Sequence, residues 1–381
     1  MPSVRLNRSS VAFLIRSLNT GGAERQLVML ASGLQKRGVD VAVVTFYGGG
    51  AMALDLAGTG VRVYDLEKRG RWDVIGFVAR LVRVIRRERP AVLYCFLTSA
   101  NILGALLRPM LRVPRIVLGV RASGLDYSHY GWFEGMEARL AALAAHCADA
   151  IVCNSEAGKQ QCVRDGYPRE ELSVIPNGID TERFRFDPVG RQRLRLEWGI
   201  HDDEPLVGIV ARPDPMKDHP TFLRAAAGLI AEGVRARFVC VGPKSGSYAE
   251  MLRSFATTLG LDRHLTWAGE MDDLSPVYSS IDVLCSSSRM GEGFSNVIGE
   301  GMACERVCVV TDVGDARQIV GDAGLVVAVQ DARALASAFR DVVRMPANER
   351  TSLGTRARRR VQECFSVDRL IDRTQALLAS S

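Results

Sequence analysis

Val11-Ala12-Phe13-Leu14-Ile15, followed by the turn Asn19-Thr20-Gly21-Gly22-Ala23-Glu24, is the stretch on which the fold turns. Five apolar residues without polar alternation suit a strand buried on both faces. Two adjacent glycines then allow a sharp change of direction. Beyond them, residues 23–36 place Leu27, Leu30, Ala31 and Leu34 on one helical face, with Gly38 just past the end. Residues 39–46 supply a second strand. The alternation continues with helix 74–87, strand 91–96, helix 100–111, strand 115–120, helix 132–147 and strand 150–153. Such βαβ repetition implies a mostly parallel sheet covered by helices on both faces.

Near residue 175 the turn chemistry of Ile175-Pro176-Asn177-Gly178-Ile179-Asp180 interrupts the pattern, and a polar segment, 181–190, follows. Alternation restarts with strand 206–211, helix 221–232, strand 237–241 and helix 249–259, then strand 283–286, helix 296–304 and strand 307–310. The expectation is an α/β protein of two Rossmann-like domains facing each other across a cleft. Residues 1–180 make the first domain and 181–365 the second, with a hinge at 176–190. The last helix, within 366–381, has no strand after it and is free to dock on either domain, the N-terminal one included. Ligands of doubly wound sheets bind outside the C-terminal ends of the strands.

The 381 residues are 47% hydrophobic and 24% charged, which excludes a disordered chain, a fibre or a coiled coil. A net charge of +6 permits contact with phosphates or anionic lipid. The arginines are dispersed and no nucleic-acid-binding motif occurs, so nucleic acid is not an expected partner. Nine cysteines without a Cys-x-x-Cys pair read as reduced thiols of a cytoplasmic protein. No run of about eighteen apolar residues exists to span a membrane. The polar, basic start of the chain, residues 1–10, is not followed by the apolar core of a signal peptide.

Three clusters carry chemistry. Gly21-Gly22 opens the first helix, whose free amides attract an anion; an ordinary tight turn reads equally well. The spacing is not Gly-x-Gly-x-x-Gly, which disfavours a nicotinamide dinucleotide. Arg212 comes directly off strand 206–211 and Lys217 follows five residues later, a pair able to clamp a diphosphate or to stand as solvated loop charges. In Gly291-Glu292-Gly293-Phe294-Ser295-Asn296-Val297-Ile298-Gly299-Glu300, Ser295 or Asn296 can cap the next helix. Glu292 then sits in the loop that leads in, and Glu300 one turn inside. Carboxylates suit sugar hydroxyls because each accepts two hydrogen bonds. The alternative is a surface Glu300 and a Glu292 that merely complements the helix dipole.

Taken in order and spacing, these pieces resemble a GT-B glycosyltransferase of family 4, retaining enzymes that use nucleotide sugars. The likeness rests on Thr20-Gly21-Gly22-Ala23-Glu24, on Val174 through Asp180 with Phe184 after it, on Arg212 and Lys217, and on Glu292 with Glu300; Asn154-Ser155 also fits. It implies that Arg212 and Lys217 hold the donor diphosphate and offset charge on the departing nucleotide. Glu292 would bind the donor sugar near the reacting carbon, and Glu300 the ribose. Gly21 and Gly22, with Gly293, Phe294, Ser295, Asn296 and Val297, would complete the donor site, and Glu292, Arg212 and Lys217 would be the catalytic set. No cofactor and no metal are implied, and no Asp-x-Asp triplet occurs.

The sequence departs from that pattern in places. Many relatives carry a histidine in the N-terminal domain, but neither strand end Tyr94-Cys95-Phe96 nor Gly119-Val120-Arg121 holds one; Arg121 serves the acceptor side instead or is a plain surface residue. His129 and His146 read as structural or exposed. Glu305 stands where relatives have glycine, and Gln318 where they have glutamate. Stretches 82–89 and 103–115 interleave apolar residues with arginines, and could rest on an anionic bilayer carrying a lipid-linked acceptor or be ordinary amphipathic helices. The implied activity is transfer of a sugar from a nucleoside-diphosphate donor to a saccharide or lipid-linked saccharide, with retained configuration. A sugar-nucleotide 2-epimerase or a non-catalytic sugar-nucleotide-binding protein of the same architecture remain as alternatives.

Overall fold

The computed structural model describes residues 10–70, 72–121 and 132–379, so His129 and the first nine residues lie outside the described residues. The chain divides into one unit of residues 179–366 and another of residues 1–178 with 367–381.

The first unit runs β1 (Ser10–Ile15), α1 (Gly22–Lys36), β2 (Asp40–Thr45), β3 (Arg62–Asp65), α2 (Val74–Glu88), β4 (Val92–Phe96), α3 (Thr98–Leu106), α4 (Arg108–Leu111), β5 (Arg115–Val120), α5 (Trp132–Ala145), β6 (Ala150–Cys153), α6 (Glu156–Arg164) and β7 (Leu172–Val174). All seven strands are parallel, in the order β3-β2-β1-β4-β5-β6-β7. β1 shows why its sequence lacks polar alternation. Val11, Phe13 and Ile15 pack with Leu27, Leu30 and Leu34 of α1 on one face. Ala12 and Leu14 pack with Phe77, Leu81 and Ile85 of α2 on the other. Both faces are dry, so every position must be apolar.

One expected helix, 100–111, is in fact two, because Pro109 has no amide for the helical ladder and crowds the preceding turn. The strand β3 escaped the pattern because it is an edge with little burial. The terminal helix Val367–Ala379 packs on α1, where Ile371 faces Gly33 and Arg37 donates to Asp368 and Asp372. Two arginines of the basic 103–115 stretch are spent internally. Arg108 donates to the Cys147 carbonyl and pairs with Asp149, and Arg115 donates to the Leu377 carbonyl. His146 is exposed and meets the Gly166 carbonyl.

The second unit runs α7 (Pro188–Glu197), β8 (Leu206–Val210), α8 (His219–Ala231), β9 (Arg237–Val241), α9 (Ser247–Thr258), β10 (Leu265–Gly269), α10 (Ser275–Ser280), β11 (Val283–Ser286), α11 (Asn296–Ala303), β12 (Val307–Thr311), α12 (Ala316–Val320), β13 (Gly324–Val327), α13 (Ala332–Arg344) and α14 (Ala347–Cys364), and the terminal helix is α15. Six parallel strands lie in the order β10-β9-β8-β11-β12-β13. Phe222 of α8 sits between Phe238 of β9 and Phe339 of α13, edge-on at 6.1 and 6.0 Å.

The boundary between the units, at 178/179, falls inside the 176–190 stretch, and the polar segment 181–190 is packed within the second unit. Phe184 is buried against Tyr278, and Arg358 donates to the carbonyls of Phe184 and Thr181. Arg195 of α7 is 1% exposed, paired with Asp282 and bonded to the Ser280 and His201 carbonyls. An arginine buried without those acceptors would cost several kcal/mol. All nine cysteines are free, and burial pushes the Cys304 and Cys308 thiols up to about 12, which leaves them inert.

Candidate donor site

In a doubly wound sheet the chain leaves two adjacent strands in opposite directions at one point, and a crevice opens beyond their C-terminal ends. The order of the second sheet puts that point between β8 and β11. Arg212 and Lys217 follow β8, and the Glu292 loop follows β11. The topology therefore gathers three of the four expected side chains at one edge.

Two of them touch. Lys217 sits in a short 3-10 turn, Pro215–Lys217, whose first amide is capped by Asp214. Its ammonium donates to Glu292 Oε1, with the two side chains only 23% and 14% exposed. Ser288 donates to the same oxygen at 2.9 Å. Ser287 donates to the Lys217 carbonyl at 2.8 Å, and the Arg289 amide to the Met216 carbonyl at 2.8 Å, so the two loops are stitched by backbone as well. A small pocket at this edge is lined by Ala211, Lys217, Ser286, Ser288, Ser295 and Val297.

Two glycines make the close approach possible. Gly291 has φ of +76°, and a Cβ there would stand 2.4 Å from Met216 Cε. Gly314 has φ of +59°, and its Cβ would stand 2.4 Å from the Glu292 carbonyl oxygen. The latter contact is with backbone, so no side-chain rotation relieves it.

Ser295 occupies the cap position of α11, yet its side chain makes no capping bond. The N-terminus of such a helix favours an anion. Asn296 and Val297 are half-buried beside Ser295, whereas Phe294 is buried with its ring 5.2 Å from Phe365.

Glu300 is not a surface residue. It is 3% exposed, and Tyr278 donates its hydroxyl to Glu300 Oε2 at 2.7 Å. Glu300 lies about one turn inside α11, which begins at Asn296. Arg212 is exposed, and its guanidinium has no hydrogen-bond partner among the described residues.

His219, the first residue of α8, was not singled out by the sequence. It is 1% exposed and lies beside Lys217, with Nδ1 unpartnered among the described residues. Burial first, then the Lys217 charge, lowers its pKa to about 4, against a smaller opposing effect of Asp214. It is a neutral imidazole at neutral pH. The serines 286–288 were also missed; three consecutive serines closing an apolar strand were the available signal.

In the first unit the corresponding switch point lies between β1 and β4. Gly21 precedes α1 in an extended conformation and, like Ser295, caps nothing with a side chain; Gly22 is exposed. Leu97, directly after β4, holds φ of +71°, a strained backbone for a branched side chain and typical of functional edges. Arg121 follows β5. Its guanidinium lies 4.5 Å from the Phe96 ring centroid and donates to Asn177 Oδ1 at 3.1 Å. Asn177 in turn belongs to the turn that Gln26 holds by bonding both the amide and the carbonyl of Gly178 at 2.8 Å. Glu305 and Gln318, the two departures of the second unit, sit outside these edges: Glu305 follows α11 with φ of +62°, and the Gln318 carbonyl accepts from Arg360.

Among the described residues no group of histidine, cysteine and carboxylate side chains is arranged to hold a metal ion, and no helix is long and apolar enough to cross a membrane.

The chain is similar to the D-inositol 3-phosphate glycosyltransferase of Saccharomonospora viridis, 35% identical over 239 residues, 59% of this chain and 54% of that protein. The same-named protein of Kineococcus radiotolerans is 30% identical over 236 residues. The chain thus spans about half the length of these curated relatives. Among solved structures, Anabaena Alr3699/HepE, crystallised with UDP and with UDP-glucose, superposes with a TM-score of 0.85 at 22% identity, over 98% of this chain and 100% of that one. Sucrose-phosphate synthase from Thermosynechococcus elongatus superposes with a TM-score of 0.79 at 20% identity, over 97% of this chain and 98% of that one. The family model for Glycosyltransferase Family 4 matches residues 20–183, and that for Glycosyl transferases group 1 matches residues 204–345. With both units covered in this way, the chain belongs to the family 4 glycosyltransferases of GT-B fold.

Proposed function

We propose that the protein transfers a sugar from a nucleoside diphosphate to a hydroxyl of a saccharide or lipid-linked saccharide, with the anomeric configuration retained. The observation that carries this reading is the Lys217–Glu292 contact at the β8/β11 switch point, next to the N-terminus of α11. A cation, a hydroxyl-binding carboxylate and a helix N-terminus are three groups suited to a sugar diphosphate. HepE, solved with UDP and UDP-glucose, supports a uridine nucleotide sugar as the first donor to test.

In this reading Arg212 and Lys217 bind the diphosphate, and their charge stabilises the nucleotide as it leaves. The amides of Ser295, Asn296 and Val297 take further phosphate oxygens. Glu292 accepts from hydroxyls of the transferred sugar, and Glu300, oriented by Tyr278, accepts from the ribose. Gly21 and Gly22 offer backbone amides to an anion at the β1/β4 switch point, and Arg121 binds the acceptor. Cationic side chains and helix ends replace a divalent metal, so turnover survives a chelator.

The test is a thermal-shift screen of nucleotide sugars, followed by turnover with the stabilising donor and proton NMR of the product's anomeric coupling. A true donor raises the melting temperature by mass action. Glu292→Gln should retain nucleotide binding and lose transfer. Near-normal turnover in that variant, an inverted product, or a product formed without any acceptor would each overturn the assignment.

A further inference from the structure

The segment from Glu67 to Arg89 holds eight basic and three acidic residues, a net charge of +5 out of the chain's +6. Almost the whole surplus is thus gathered on one helix and the loop before it. The acids there are engaged. Asp73 accepts from the Arg69 amide and from Arg80, Glu88 accepts from Tyr64 and Arg62, and Glu67 faces Arg69.

The same element carries an exposed apolar end. Trp72 is 85% exposed, Ile75 87% and Val74 55%. The buried face of α2 is Phe77, Leu81 and Ile85. The opposite face runs Ile75, Ala79, Arg83, Arg86 at helical spacing, all exposed, so it is apolar in its first turns and cationic in its last. Arg83 and Arg87 have no ion-pair partner among the described residues. Beyond the cationic end, Arg86, Arg89 and Arg112 line a cavity of about 500 Å³ whose wall has no carboxylate among the described residues.

We infer that the outer face of α2 and the loop before it dock on an anionic lipid bilayer, with Trp72, Val74 and Ile75 in the headgroup–acyl boundary and the arginines on lipid phosphates. Each half of the pattern selects for this occupant. A polyanion such as nucleic acid would use the arginines and leave a tryptophan, a valine and an isoleucine exposed. A second copy of the chain would bring two arginine-bearing faces together, which repel. Only an anionic surface with an apolar layer beneath satisfies both ends, and tryptophan is a side chain suited to that boundary. This inference does not rest on the donor reading, because vesicle binding needs neither donor nor acceptor.

The experiment is co-sedimentation of the purified full chain with phosphatidylcholine vesicles, with and without about 30% phosphatidylglycerol, at low salt and at about 0.5 M salt. The expected result is binding to the anionic vesicles alone, lost at high salt. Trp72→Ser with Ile75→Ser should lower the partition coefficient about tenfold or more, and Arg83→Glu with Arg87→Glu should do the same. These side chains are exposed, so thermal melts should not change. Equal binding to neutral vesicles, no binding, or wild-type partitioning by the Trp72/Ile75 variant would overturn the inference. So would a dimer in sedimentation velocity that the Trp72/Ile75 variant abolishes. UDP affinity, measured separately, should be the same in all variants; its loss in the wild type would count against the donor site and leave the membrane result standing.

Discussion

His219 should make the protein lose stability in acid by a calculable amount. Its pKa is about 4 in the fold against 6.5 for a free imidazole, because it is buried beside Lys217. Between those values the unfolded chain binds a proton that the native state refuses. Stability therefore falls as pH drops through 6.5 toward 4, and is complete only above the unfolded value. At about 1.36 kcal/mol per unit, the interval from about pH 7.5 to about pH 4.5 should cost roughly 2.5 kcal/mol through this one residue. The assay is urea unfolding at the two pH values for the wild type and for His219→Asn, which keeps a polar group near Nδ1 and cannot titrate. Both proteins will lose stability in acid through their other groups, so the informative quantity is the difference between the two losses. The wild type should lose about 2.5 kcal/mol more than the variant. Equal losses would refute the claim that the imidazole is held neutral beside the lysine.

Glu305→Gly should raise stability by about 1 kcal/mol, since position 305 has φ of +62° at the end of α11, where glycine carries no Cβ penalty; Glu305→Ala, which keeps the Cβ, should bring no such gain in chemical denaturation. Gly314→Ala should drive a Cβ into the Glu292 carbonyl and displace that loop, giving a fall in donor turnover larger than its loss in melting temperature would account for; wild-type turnover would show that the two loops are not coupled. Arg212→Ala should weaken nucleoside diphosphate binding by about 1.5–3 kcal/mol in titration calorimetry. Lys217→Ala should weaken it more, because Glu292 would then face the diphosphate without its partner, and equal losses in the two variants would argue against that coupling.

How much of this was legible in the sequence depended on whether a pattern was local. The β1–α1 unit was readable because burial on both faces forces an unbroken apolar run, and because one helical face must be apolar. The break at Pro109 was readable in principle, since the missing amide is written in the residue itself. The strand β3 was not, because an edge with one wet face needs no apolar run. The packing of residues 181–190 was hidden for a different reason. Arg195 and Arg358 look like solvated charges until the Asp282 carboxylate and the Phe184 and Thr181 carbonyls that receive them are brought in from 87 to 177 residues away. The same holds in the site. Glu292 and Lys217 could be named from spacing, but the Tyr278 hydroxyl on Glu300 and the burial of His219 are products of tertiary packing alone. Glu305 is the instructive middle case: the sequence marked it as standing where relatives have glycine, and the positive φ supplies the physical reason that glycine is preferred there.

The Lys217–Glu292 pair has a consequence for how a donor could bind. A lysine held by a carboxylate is not a spare cation, and a diphosphate that recruits it must compete with Glu292. The competition is affordable if the sugar hydroxyls take the lysine's place on Glu292, so that the carboxylate exchanges one set of donors for another. A free nucleoside diphosphate offers phosphate oxygens but no sugar hydroxyls, and would leave Glu292 uncompensated close to added negative charge. The complete nucleotide sugar should therefore gain more from this site than the bare nucleotide does, although the sugar itself adds no charge. Ser288 limits the ordering cost of that exchange. It holds the second contact to Glu292 Oε1, so the carboxylate stays in place while the lysine changes partner. Removing the lysine and removing the carboxylate should then affect this preference differently: without Lys217 both ligands weaken and the preference for the complete nucleotide sugar remains, whereas without the Glu292 charge the bare nucleotide gains affinity and the distinction conferred by the sugar disappears.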